Sequence, residues 1–341
     1  MGVELGELLE KEKIELSSLS GRKIAIDAFN TLYQFLSIIR QPDGTPLMDS
    51  RGRVTSHLSG LLYRTANVIK EGIYPVYVFD GKPPELKHKT IEERKQVRKK
   101  SMEKWDAALE RGEKEEARKY AQASSRLTNE MIENSKQLLD VLNVPYVDAP
   151  GEGEAQASFM ARKGDVWASA SQDFDSLLFN SPILIRNLTI TGRRKLPRRN
   201  VYVMVEPEKI ILDANLQRLK ITREQLIDIA LLMGTDYNEG IKGIGPKTAL
   251  QYIEKGMTAD DVYKQKQAKP EVDLKQLRQL FLKPDVTKKY ALKWKKPDDE
   301  KVLDLMVNEF DFSQDRVQSA LEKIHGHLET KGAQSRLDQW F

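Results

Sequence analysis

The sequence predicts an α/β fold, a central, mostly parallel twisted sheet flanked by helices, and three observations predict it. Short apolar segments at Arg22 to Ala28 (RKIAIDA) and Tyr74 to Phe79 (YPVYVF) alternate with longer stretches of helical periodicity. Each apolar segment runs into an acid, Asp27 and Asp80, and a third, Val166 to Ala170, leads to Asp173 and Asp175. Strand, terminal acid and helix in repetition is the pattern of a parallel sheet whose ligands sit beyond the strands' carboxyl ends.

The bulk composition narrows the possibilities. A chain of 341 residues with 40% apolar content can bury a substantial core. The balance of 55 basic to 51 acidic residues leaves only +4, so affinity for nucleic acid has to come from local clustering. No cysteine excludes disulfides and thiolate sites, and four scattered histidines disfavour zinc. The start, MGVELGELLEKEK, lacks the apolar core of a signal peptide, Gly6 breaks a myristoylation pattern, and no later run is apolar for a membrane-spanning length. An intracellular protein without a membrane partner is expected.

In chain order, the first strand is followed by a helix from Phe29 to Arg40, a loop marked by Pro42, Gly44 and Pro46, and a helix from about Val54 to Lys70. After the strand ending at Asp80 comes a charge-dense segment, Lys82 to Tyr120, too polar to bury much. Its position places bases over the acidic strand ends. Lys87 and Arg94 are seven apart, within about 20° of alignment on a helix, and Arg98 extends the stripe into a wall suited to phosphates. Leu127 to Leu142 is amphipathic helix and Val144 to Val147 a strand.

Gly151 to Asp175 holds Glu152 and Glu154 at the entry to a helix ending near Lys163, then Asp173 and Asp175 beyond the third strand. Residues two apart on an extended strand end point the same way, so the Asp pair is expected to converge. On a helix the same spacing means about 200° of rotation, so the Glu pair needs an irregular helix entry, which Gly151 and Gly153 permit. Any one of these acids could be an ordinary cap or dipole partner. Three strand-end positions together with the Glu pair favour a site for a hard divalent cation, magnesium or manganese.

Pro182 to Asn187 and Val201 to Val205 read as strands joined by the basic hairpin TGRRKLPRR. A helix from Thr222 to Met233 is followed by GTDYNEGIKGIGPKTALQYIEK, where a Gly-x-Gly turn feeds a helix that starts at Pro246. Free backbone N–H groups there, with Lys247 beside them, suit a backbone phosphate. Met257 to about Phe312 reads as helical and irregular, clearest in VDLKQLRQLFLKP and DEKVLDLMVNEF and packing back on the main sheet; Ser313 to His325 reads as the last helix, closed by Gly326, and the tail ends in two aromatics, Trp340 and Phe341, that suit a partner's groove.

Together these segments resemble the flap endonuclease 1 family of structure-specific 5′ nucleases. The resemblance spans nearly the whole chain: AIDAFNTLYQFL, PVYVFDGKPPELK, APGEGEA, SQDFDSLLF, LLMGTDY and GIKGIGPKTA occur in the family's order, and the tail QSRLDQWF resembles its sliding-clamp box. It implies a single nuclease domain over 1–325, with a helical arch at about 82–122 and a helix-turn-helix-type duplex-binding motif at about 222–256. A flexible tail, 326–341, would follow. It implies that Asp27, Asp80, Glu152, Glu154, Asp173, Asp175 and Asp236 hold two Mg2+ ions, with Mn2+ able to substitute, and that Lys87 and Arg94 act on the scissile phosphate. Tyr33 would stack on a base, Arg40 would contact the DNA fork, and Gly2 would lie near the site. Gly243, Gly245 and Lys247 would grip the duplex with a K+ ion; Gln334, Leu337, Trp340 and Phe341 would bind the clamp. The implied activity is metal-dependent 5′ flap endonuclease and 5′-3′ exonuclease cleavage in Okazaki-fragment maturation and repair, by a protein monomeric on its own and found with DNA. That means cytoplasm or nucleoid in an archaeon, the nucleus in a eukaryote. Two departures stand out: Glu-Gly-Glu in place of the commoner Glu-Ala-Glu, which would loosen the helix entry slightly, and nothing basic after the clamp box, which makes the chain similar to the shorter, archaeal-type form.

Overall fold

The computed structural model describes residues 3–337 apart from 42, 83, 114, 115, 117, 118, 122, 123 and 196–201; for some other positions, Arg94 and 327–337 among them, it describes backbone alone. One sheet contains β1 (Glu12–Lys13), β2 (Lys23–Asp27), β3 (Tyr74–Phe79), β4 (Tyr146–Asp148), β5 (Ala168–Ala170), β6 (Ile183–Arg186) and β9 (Glu208–Ile211); β7 (Gly192–Lys195) and β8 (Tyr202–Val205) pair separately. The order is β1-β9-β6-β5-β2-β3-β4, parallel from β6 through β4, with β9 antiparallel to both β6 and β1. The chain builds outward from β2 to β4 and then returns to the other side of β2 with β5. That reversal opens a crevice at the carboxyl ends of β2 and β5, where such sheets take ligands.

The helices are α1 (Ala28–Ile38), α2 (Ser56–Lys70), α3 (His88–Glu110), α4 (Asn129–Val141), α5 (Gly153–Lys163), α6 (Asp175–Leu178), α7 (Leu212–Leu219), α8 (Arg223–Met233), α9 (Pro246–Glu254), α10 (Ala259–Gln265), α11 (Leu274–Leu282), α12 (Asp299–Leu303) and α13 (Gln314–Leu337). Period-two alternation sorts the two faces of the sheet. Ile24 and Ile26 of β2, with Tyr77 and Phe79 of β3, face α1, α2, α4 and α13, whereas Ala25, Val76 and Val78 face α5. Gly60 lets α1 and α2 meet, because a Cβ there would stand 2.2 Å from Cγ of Phe35. A second core joins Leu5, Leu8 and Leu9 to α6, α8, α9, α10 and α11.

Several expectations need correction. The strand expected at Val201 to Val205, described from Tyr202 on, does not continue a hairpin from Ile183–Arg186; Tyr202–Val205 pairs with Gly192–Lys195, and β6 takes Glu208–Ile211 as its partner instead. Between α11 and α12 the chain is extended rather than helical: Tyr290, Leu292 and Trp294 pack beneath the sheet, and the Trp294 indole donates to Pro75 O at 2.8 Å. The last helix does not stop at Gly326 but runs on to Leu337. Its two interior glycines, Gly326 and Gly332, cost about 1 kcal/mol each, and the Leu, Glu, Lys, Ala and Gln around them are strong helix formers that offset this.

Candidate active site

The acids gather at the crevice because most of them end a strand or open the helix after it, while Asp173 lies between β5 and α6 and Asp236 in the turn after α8. Asp27 closes β2 and caps α1, its Oδ1 accepting the Asn30 N–H at 3.0 Å, so cap and site residue are one and the same. Asp80 follows β3, and its Oδ1 accepts the Gly153 N–H at 2.6 Å. Glu152 is the N-cap of α5 with extended backbone (φ −72°, ψ 131°) and Glu154 lies two residues on inside the helix, so the entry is where the pair diverges from helical rotation, as expected. A Cβ on Gly153 would stand 2.6 Å from Asp80 Oδ1 and 3.2 Å from Val78 O. The glycine is thus what lets Asp80 seat on this amide.

Asp173 and Asp175 converge by a different route from the one expected. β5 stops at Ala170, Phe174 is helical in backbone (φ −87°, ψ −2°), and Asp175 opens α6. Asp173 Oδ2 accepts from Asn30 Nδ2 at 2.8 Å, and Asp175 Oδ1 accepts the Val3 N–H at 2.8 Å. Lys87 does not overhang the site as part of a basic wall. It ends a 3-10 turn, Glu85–Lys87, ahead of α3, and its Nζ lies 2.7 Å from Glu152 Oε2, 3.5 Å from Asp236 Oδ2 and over the Tyr237 ring.

Crowding and burial oppose ionisation here. Burial, then the charge of Glu152, pushes Asp80 up to about 6; burial pushes Asp175 up to about 7 despite the Val3 hydrogen bond. Burial and Asp80 hold Asp27, and burial and Asp175 hold Glu154, well above the usual carboxylate range. Burial lowers the Lys87 pKa, but the charge and hydrogen bond of Glu152 outweigh it and raise it overall. Among the described residues no three acids already cage a single point. A donor set made only of carboxylates, several of them disfavoured as bare anions, nevertheless fits a hard divalent cation, which would neutralise them.

A pH signature follows. Carboxyls with raised folded-state pKa values favour the fold most below their ordinary range, and that contribution is lost as pH rises through about 6 and about 7. A bound cation restores it only where the groups ionise. The gain in Tm on adding Mg2+ is expected to be larger near pH 8 than near pH 5; equal gains in calorimetry would contradict this.

The remaining expected residues are spread more widely. Arg98 Nη1 lies 3.4 Å from the Tyr33 hydroxyl, while the Arg94 side chain lies outside the described residues. Arg40 is occupied internally, donating to Leu36 O, Gly44 O and Ser125 Oγ. Gly243 has φ +87°, Gly245 caps α9 with Pro246 at its first turn, and Lys247 is 3.6 Å from Glu7. Gly2, Trp340 and Phe341 lie outside the described residues, as do the side chains of Gln334 and Leu337. Sequence reasoning missed Asn30, the Val3 amide and Tyr237. Asn30 carried a signal, since it stands three residues after a capping Asp; a backbone amide such as that of Val3 carries none.

Comparison with known proteins places the chain. The XPG N-terminal domain matches residues 1–101 and the XPG I-region residues 143–236. The chain is 55% identical to flap endonuclease 1 of Archaeoglobus fulgidus over the full length of both, and 55% identical to that of Pyrococcus furiosus over all of this chain and 99% of the relative. The flap endonuclease-1 structure from Methanococcus jannaschii superposes with a TM-score of 0.77 at 42% identity, covering 97% of this chain and 100% of that one. The catalytic core of Rad2 in complex with DNA substrate, at 23% identity and a TM-score of 0.68, covering 94% of this chain and 97% of that one, shares the fold. With its two XPG regions and its full-length identity to these relatives, the chain belongs to the flap endonuclease 1 family.

Proposed function

We propose that this protein is a structure-specific 5′ flap endonuclease with 5′-3′ exonuclease activity, acting on DNA flaps and junctions in Okazaki-fragment maturation and repair. One observation carries the reading: acids from the ends of separate strands and helix starts meet in a single crevice, in a chain whose full-length relatives are flap endonucleases. Asp27, Asp80, Glu152, Glu154, Asp173, Asp175 and Asp236 would hold two Mg2+ ions, with Mn2+ able to replace them. Bound there, the ions would neutralise the scissile phosphodiester and lower the pKa of an attacking water.

The protein's own groups supply position and charge. Asn30 orients Asp173, the Val3 amide orients Asp175, and the Gly153 amide orients Asp80. Lys87, and Arg94 from α3, would neutralise charge developing on the phosphate oxygens, leaving a 5′-phosphate on the product. Tyr33 and Arg40 would contact DNA beside the cut, and Gly243, Gly245 and Lys247 the duplex backbone, with a K+ ion at that turn. Phosphate contacts set register rather than sequence, so substrate choice is by shape. The protein would act as a monomer inside the cell, where its DNA is.

A double-flap DNA incubated with Mg2+ is expected to be cut one nucleotide into the duplex, and a chelator to abolish cutting. No cleavage, or cleavage indifferent to the chelator, would overturn the reading. Gln334, Leu337, Trp340 and Phe341 would dock on a sliding clamp. Deleting 334–341 is expected to abolish clamp binding and leave cutting intact; undiminished clamp affinity would remove that assignment.

A further inference from the structure

The extended segment between α11 and α12 crosses beneath the sheet from the carboxylate side to the opposite rim. It is held at Thr287, whose N–H and C=O both bond the buried Gln156 side chain at 2.7 and 3.0 Å, and at Trp294, bonded to Pro75 at the amino end of β3. Along it, side chains alternate. Tyr290, Leu292 and Trp294 turn in against the sheet layer, while Lys289, Lys293 and Lys295 are exposed. Positions 283–297 hold six lysines and one acid, Asp285.

Neighbouring elements add cations of the same sign, each held over an aromatic ring. Lys23 lies 5.6 Å from the Trp294 centroid, Lys163 5.4 Å from that of Tyr290, and Arg22 5.0 Å from that of Trp167. The acid amid them, Asp165, is already engaged by Lys163 and the Tyr290 hydroxyl. Among the described residues Lys289, Lys293 and Lys295 join no ion pair. A solvated surface ordinarily intersperses both signs; here the lysines from Lys288 to Lys296 form a stretch of one sign, and acids resume only at Asp298, Asp299 and Glu300 where α12 begins.

We propose that this face is a second DNA-contacting surface, binding phosphates of a duplex segment other than the one being cut, without sequence preference. An extended chain advances about 3.3 Å per residue, so Lys293 and Lys295 stand about 7 Å apart and Lys289 about 13 Å before them on the same side, and a duplex offers a phosphate charge every ~1.7 Å of its axis. The inference rests on the reading of this protein as a DNA-processing enzyme. It adds a surface at the amino-end rim of the sheet, where the crevice, at the carboxyl ends, does not reach.

The test compares the parent with a Lys289→Ala/Lys293→Ala/Lys295→Ala variant, using a long blunt duplex without a flap. For the variant, the slope of log affinity against log salt is expected to become shallower by roughly 2 to 3, at ~0.9 per lost phosphate contact. A Lys→Arg variant at the same positions should keep the parent slope, and all three proteins should unfold at the same temperature. Cutting of a short-armed double flap should be unchanged. A parent-like slope for the alanine variant overturns the proposal and leaves an acidic protein as the occupant of this face. An equal slope change on the short-armed flap also overturns it, because the track would then touch the segment being cut. Failure of the parent itself to cut the short-armed flap with Mg2+ would count against the nuclease reading, and the blunt-duplex slopes would still decide the surface.

Discussion

Replacing Asp175 by asparagine is expected to lower single-turnover cleavage of a double-flap DNA by on the order of 10³-fold or more, while leaving the metal-free protein as stable as the parent or more so. The two effects separate because Asp175 serves two ends. Its Oδ1 accepts the Val3 N–H, which an amide oxygen can also do. Its charge, by contrast, is disfavoured where it stands, with burial pushing its pKa to about 7 and Asp236 and Asp173 nearby. Asparagine keeps the acceptor and removes the repulsion, a stabilisation gained by giving up chemistry. Asp175→Ala is the harsher variant, since it also orphans a buried N–H at about 1–3 kcal/mol. Stopped-flow cleavage and calorimetry on both variants check this. Near-parent rates for the asparagine variant would remove Asp175 from the reacting centre.

Lys87→Ala is expected to slow the chemical step by roughly 10²-fold to 10³-fold with little loss of DNA affinity. Its ammonium is mostly buried, paired with Glu152 and near Asp236, so it contributes little to a surface that DNA meets first. When divalent ions neutralise those acids, the ammonium is left to face the phosphate, where its charge matters most in the transition state. The same variant should unfold at lower temperature without metal, having lost the internal counter-charge, and regain most of that loss with Mg2+. If affinity falls as far as rate does, Lys87 only positions the phosphate.

Much of this site was legible because a parallel sheet puts functional side chains at predictable places. Asp27 and Asp80 were identifiable from two apolar strands alone, and Glu152 and Glu154 from glycines at a helix entry. Asp173 and Asp175 were found for a reason that does not hold, since the chain is already turning helical at Phe174. Asp236 came only with the family resemblance, because it follows a helix rather than a strand. Lys87 was aligned with Arg94 on one helix, yet a tighter turn redirects it inward, and heptad spacing says nothing about 3-10 geometry. The mispaired hairpin arose because β9, a short strand between β6 and β1 with two charged residues in four, carries almost no hydrophobic signal. The Glu-Gly-Glu departure now has a physical meaning: a Cβ at position 153 would press on the very carboxylate tip of Asp80 that accepts the Gly153 N–H, so a side chain there would require that carboxylate to rotate off the amide.

The hydrogen bond from Val3 to Asp175 has a practical side as well. It ties the leading end of the polypeptide to the chemistry, so any residues fused ahead of Val3 emerge beside the carboxylate crevice. A purification handle or fluorescent fusion placed there would compete with DNA for the same space. Labelling at the trailing end would meet the proposed clamp box instead.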